Sequence, residues 1–223
     1  MPGWEMLVDA LRQLLFALAH HMNGSLGGSI AAVAAVARVL LLPLTVRAAL
    51  AARDHQARLI RLKPQLDALK TRHAGKSGDL ALATAALYKA HDIPALPKGT
   101  LITALVQIPL GAAIYQAVRT GLTTGTRFLW IGDLTKPDVA LTAVVGALAA
   151  LGVGMTGATQ PSGANAAGVS TYVMAVGSGL MTVFFAFRLA SGIGIYWAAS
   201  SAVGILQPVI VRRILRSRER AVD

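Results

Sequence analysis

The residue with the most chemistry to offer in this chain is an arginine in the wrong place. Arg38 sits inside the apolar stretch 24–46, about eight residues before its end at Val46, which is roughly 12 Å of helix. A guanidinium at that depth costs at least ~2.5–3.5 kcal/mol on insertion scales and marks function by default. No Asp or Glu occurs in any of the long apolar stretches, so an acidic partner within the membrane is excluded. A water-filled cavity open to one side is the favoured surroundings; a bond to backbone carbonyls, bracing the helix, is the structural alternative. Polar residues at helical spacing supply candidate walls. Thr100, Thr103 and Gln107 share a face of one stretch, and Tyr196, Ser200 and Gln207 share a face of another, with Trp197 and Ser201 alongside. Taken singly, such residues pack helices; beside an uncompensated arginine they suggest a hydrophilic cavity.

Other chemistry is missing. The five histidines, His20, His21, His55, His73 and His91, lie outside the apolar stretches. There is no His-Glu-x-x-His pair, no intramembrane acid pair and no phosphate-binding Gly-rich loop. Gly177-Ser178-Gly179 has no histidine at its depth to activate the serine. With no cysteine in the chain, disulfides, thiol catalysis and Cys-based zinc sites are excluded. The expectation is a protein that is not an enzyme and needs no cofactor or metal.

The elements that must hold these residues follow from composition. Of 223 residues, 55% are hydrophobic and 14% charged, against about 25% charged in soluble domains. Stretches 24–46, 98–119, 139–156, 170–188 and 191–212 are each apolar enough to read as a membrane span of about 20 residues. The turn formers between Gly157 and Asn165 divide a charge-free run, Val139 to Phe187, into two spans. Residues 1–23 place Trp4, Leu7, Val8, Leu11, Leu14, Leu15 and Leu18 at helical spacing opposite Glu5, Asp9 and Arg12. That pattern predicts an amphipathic helix in the interface plane; the acidic start argues against a signal peptide. Segment 47–97 carries two leucine seams, Leu59-Leu62-Leu66-Leu69 and Leu80-Ala83-Leu87, separated by Gly75–Gly78. It reads as a helical hairpin with a basic exterior, either a solvated face or a docking surface. Segments 120–138 and 157–169 are loops and 213–223 a basic tail. The class is thus all-α and polytopic: five transmembrane helices, a cytoplasmic hairpin and an N-terminal interfacial helix.

Orientation comes from the basic residues. The hairpin side and the tail hold fifteen Lys and Arg, the opposite side four. The positive side faces the cytoplasm, so the N-terminus is expected outside and the C-terminus inside. The formal charge of +11 is then a topology signal rather than a nucleic-acid footprint, and no direct nucleic-acid partner is expected.

Six motifs in order resemble the YidC/Oxa/Alb membrane protein insertases. Arg38 a few residues ahead of Pro43-Leu44-Thr45 is similar to the family's first core span. Leu62-Lys63-Pro64 and Ala86-Leu87-Tyr88-Lys89 resemble the hairpin arms, and Val106-Gln107-Ile108-Pro109 the next span. Phe128-Leu129-Trp130, continuing to Asp133-Leu134, resembles an exterior loop signature. Phe184–Phe187 followed by Ser191-Gly192 and Tyr196-Trp197 resembles the fourth-to-fifth connection. The resemblance implies a short-form insertase of a bacterial inner membrane, acting without ATP as a monomer on nascent membrane-protein clients. It implies a groove, open to cytoplasm and lipid, that holds Arg38 and is lined or bordered by Gln107, Tyr196 and Trp197; the helical spacing adds Thr103 and Ser200 to the candidate wall. The lipid bilayer, the Sec translocon and the ribosome are the further partners it brings. The chain departs from the family in having no Gln on the third span and no Pro before Gly192, and in carrying Arg188. Its tail is short, so docking to a ribosome through a long basic tail is not expected. A small anion transporter built on Arg38 and a non-inserting assembly factor are the rival readings.

Overall fold

The computed structural model describes residues 2–94, 98–161 and 170–220; of Pro2, Lys98 and Thr100 it describes the backbone only. Much of the expected loop 157–169 and the end of the expected tail 213–223 therefore lie outside the described residues. Among those described, every regular element is a helix: α1 Pro2–His21, α2 Leu26–Arg72, α3 Ser77–Ala90, α4 Lys98–Gly121, α5 Val139–Gly157, α6 Thr171–Ala186, α7 Ser191–Gly204 and α8 Leu206–Arg220. The protein is an all-α polytopic membrane protein. Four stretches are long and apolar enough to cross a bilayer, with α7 and α8 counting as one, and α6 is a shorter apolar helix of 16 residues. At 1.5 Å per residue α6 spans about 24 Å, less than a hydrocarbon core of about 30 Å.

The first span and the first hairpin arm are one continuous helix of 47 residues, where the sequence suggested a boundary at position 46. The Ser25 hydroxyl starts it by accepting from the Gly28 N–H at 3.2 Å, an N-cap. Pro43 and Pro64 sit inside it, each removing one ladder bond. Near the first, the Thr45 hydroxyl folds back to donate to the Leu42 carbonyl at 3.0 Å, while the carbonyl that Pro43 leaves without its helical N–H donor is that of Val39. The hairpin is looser than its leucine spacing implies. α3 buries no residue, and a groove of about 310 Å³ lined by Leu59, Ile60, Leu66, Leu80 and Tyr88 separates the arms. Ala-rich α3 offers too few large side chains to close it.

The core sits at one end of the bundle. Ile30, Leu134, Val118 and Val145 are its largest fully buried apolar side chains, joined by Ala113 and Ala117. They come from the first half of α2, the second half of α4, the 122–138 loop and the start of α5. α1 closes over this end: Val8, Leu15 and Ala19 are buried, and Trp4 Nε1 donates to Gln116 Oε1 at 2.8 Å. The N-terminal helix is thus packed on α2 and α4 along one face, while Leu7, Leu14 and Phe16 on other faces remain exposed.

The 122–138 loop seals the same end. α7 has no side-chain cap; instead Ser191 N–H donates to Lys136 O at 2.9 Å and Gly192 N–H to Leu134 O at 3.0 Å. Two orphan donors of a buried helix start are thereby satisfied. In the loop, Thr135 gives Asp133 both its hydroxyl, at 2.6 Å, and its N–H, at 2.9 Å. Those bonds, the hydroxyl's first, hold the Asp133 carboxyl below its ordinary titration range. α5 and α6 form the tightest helix pair, crossing at Gly146, Ala150 and Gly179. Small residues let membrane helices approach this closely.

Candidate functional site

The other half of the bundle is open, and Arg38 stands in it between two spaces. The smaller, about 20 Å³, is enclosed by α2, α4 and α7 and lined by Arg38, Gln107, Gly111, Tyr196 and Ser200 among apolar neighbours. That is room for about one water. The larger, about 360 Å³, lies between α2, α5, α6 and the α7–α8 junction. Arg38 shares it with Gly152, Thr156, Ser178, Ser201 and Gln207. These polar groups come from the second halves of α5 and α7, from mid-α6 and from the start of α8, away from the sealed end.

The α7–α8 break shapes this wall. Pro208 cannot donate to the Gly204 carbonyl four residues back, and the helix is interrupted at Ile205. A Cβ placed on Gly204 would meet Arg38 Nη2 at 3.1 Å and Nε at 3.3 Å. Glycine therefore lets the guanidinium lie against the junction. Arg38 Nε is buried with no hydrogen-bond partner, and the described residues provide Arg38 no ion pair. A buried charged donor left bare is costly, so the site suits an occupant that accepts hydrogen bonds: water, or an anionic group.

Of the residues singled out from sequence, the fold brings Arg38, Gln107, Tyr196 and Ser200 around one space. Thr103 borders neither space; its hydroxyl donates to the Gly99 carbonyl at 2.8 Å. Trp197 is half-buried and packs against the apolar core. The side chain of Thr100 lies outside the described residues. Thr156, Ser178, Gly152 and Gly204 were missed. Ser178 reads as packing because it sits between glycines, and Gly204 lies in an apolar run with no turn signal. Among the described residues no group of three or more His, Asp or Glu converges as a metal would need.

A bundle of helices long and apolar enough to cross a membrane, packed together at one end and with Arg38 beside a polar-walled space in the other half, defines a class: an all-α polytopic membrane protein. The model of the family described as 60Kd inner membrane protein matches residues 17–218. Among curated relatives, the membrane protein insertase YidC 1 of Halalkalibacterium halodurans is 30% identical over 210 residues, covering 92% of this chain and 76% of the relative. The YidC 1 of Streptococcus pyogenes serotype M3 is 29% identical over 231 residues, 99% of this chain and 79% of that one. The YidC of Fusobacterium nucleatum is 26% identical, covering 85% and 87%. This chain belongs to the 60Kd inner membrane protein family, the family of the YidC insertases.

Proposed function

We propose that this protein is a membrane protein insertase of a bacterial inner membrane, which moves nascent transmembrane segments into lipid without ATP. The observation that carries the reading is Arg38 with its bare Nε, beside a polar-walled space of about 360 Å³ in a bundle packed shut at its other end. The positive charge draws the acidic or polar flank of an incoming chain into the hydrated half. The apolar segment behind it leaves sideways into lipid, where transfer is favourable at about 25 cal/mol per Å². The short α6 suits a locally thinned bilayer and shortens the polar flank's path. The clients are nascent membrane proteins and the bilayer is the second partner; the ribosome and the Sec translocon are further partners by family. The sealed end faces outside with the N-terminus, and the hairpin and C-terminus face the cytoplasm, following the basic residues.

Two measurements test this. Purified protein in nucleotide-free liposomes should give protease protection of the exported tail of a single-span client, with no saturable anion flux. Flux without protection would favour a transporter, and client binding without protection an assembly factor. For orientation, Thr124→Cys should label with an impermeant thiol reagent on intact cells and Ser77→Cys should not. The reverse pattern would invert the topology.

A further inference from the structure

The tip of the 122–138 loop is built against the usual chemistry of a water-facing turn. Phe128 and Ile131 exchange both backbone bonds, Phe128 N–H to Ile131 O at 3.0 Å and Ile131 N–H to Phe128 O at 2.9 Å, so Leu129 and Trp130 are the central residues of a two-residue reversal. Glycine, asparagine or aspartate normally occupy such positions. Leu129 instead takes φ +50°, a conformation that L side chains rarely adopt. The flanking residues point inward: Ile131 is 3% exposed, and Phe128 lies so close to Gly27 that a Cβ there would overlap its ring. Leu129 and Trp130 point outward, 74% and 56% exposed, and Val139, the residue after the Asp138 that bonds the indole, is 69% exposed. The indole keeps its polar handle satisfied, donating to Asp138 Oδ1 at 3.1 Å, while the residue stays more than half exposed.

The surroundings name the occupant. The loop's own carbonyls cap α7, so the tip lies at the level of the helix ends, where Trp sits in membrane-interface belts. Arg127 adjoins the turn and is exposed. The Lys136 side chain is 75% exposed, its nearest acid Asp133 3.7 Å away. Arg188, at the end of α6 on this side, lies over the Phe184 ring at 5.3 Å. The two acids of the loop are engaged internally, Asp133 by Thr135 and Asp138 by Trp130 and by the N–H of Leu141. We propose that the Leu129–Trp130 tip is a lipid-docking wedge seated in the leaflet at this end of the bundle, with Arg127 and Lys136 taking the headgroups of anionic phospholipids. Seated so, it fixes the depth of the sealed end, and with it the height of Arg38, in the bilayer.

The chain has no cysteine, so a nitroxide on Leu129→Cys reports on this tip alone. In vesicles of phosphatidylcholine with phosphatidylglycerol, that label should collide several-fold more with oxygen than with an aqueous nickel chelate. The same label on Thr124→Cys, on the polar part of the loop, should show the opposite ratio. Replacing phosphatidylglycerol by phosphatidylcholine should lower the Leu129 ratio, and Arg127→Gln with Lys136→Gln should give that lower value in either lipid. A Leu129 label as open to the chelate as the Thr124 label would overturn the wedge. So would one shielded from both quenchers, which would mean that protein covers the tip. A ratio indifferent to phosphatidylglycerol would overturn the headgroup role.

Discussion

Arg38→Ala should lower insertion of acidic-tailed clients by about tenfold while the protein accumulates normally in the membrane. The magnitude follows from charge. Two unit charges about 4 Å apart at an effective dielectric near 20 attract by about 4 kcal/mol. Hydration of the roughly 360 Å³ space leaves a fraction of that, and ~1.4 kcal/mol off a barrier is a factor of ten in rate. Arg38→Lys should retain much of the activity, since charge survives although the forked geometry is lost. Neutralising the client's tail should shrink the gap between wild type and Arg38→Ala. If Arg38 only braces helices, alanine would instead reduce the amount of folded protein, and what remained would insert clients normally. Quantitative blotting of the membrane fraction beside the insertion assay separates the two.

The second large effect is expected at the α5–α6 crossing. A Cβ on Gly179 would stand 3.0 Å from both the Gly146 carbonyl oxygen and Ala150 Cβ. Backbone cannot step aside as a side-chain end can. Gly179→Leu should therefore separate the pair, costing more than the ~1–3 kcal/mol typical of overpacking, and little folded protein should be recovered. Gly177 lies two residues earlier on the same helix and has open space around its would-be Cβ. Gly177→Leu should leave thermal unfolding in detergent unchanged, so the pair of variants isolates the crossing from helix propensity. Equal losses would show that the crossing is not what holds α6.

Much of this was legible in the sequence because the bilayer imposes a simple rule. Spans free of charge must be long, so α4 and α5 stand out near their observed limits. Arg38 was conspicuous for the same reason, being a charge where the rule forbids one. What the rule does not encode is backbone continuity across the membrane surface. α2 changes environment after Val46 without changing conformation, and its two prolines each delete one bond without ending the helix. The site was half legible. Helical spacing puts Tyr196 and Ser200 on one face, and the fold brings that face to Arg38 and Gln107. The same spacing included Thr103, whose hydroxyl is used by its own helix, and it missed Gly204. Nothing in an apolar run says that one glycine must face a guanidinium four apolar stretches earlier. The closed end was the least legible, since capping of α7 by the carbonyls of Lys136 and Leu134 depends on a loop returning across 55 residues.

Insertion through the half-open space beside Arg38 is tested most directly by a photo-reactive residue in place of Ser178, which lines that space, and another in place of Met6, exposed on α1. With a client stalled during synthesis, the Ser178 probe should cross-link to the client's acidic flank, and Arg38→Ala should weaken that product. The Met6 probe should not reach the flank. Flank cross-links at Met6 and none at Ser178, from a protein that still inserts the client, would contradict passage beside Arg38.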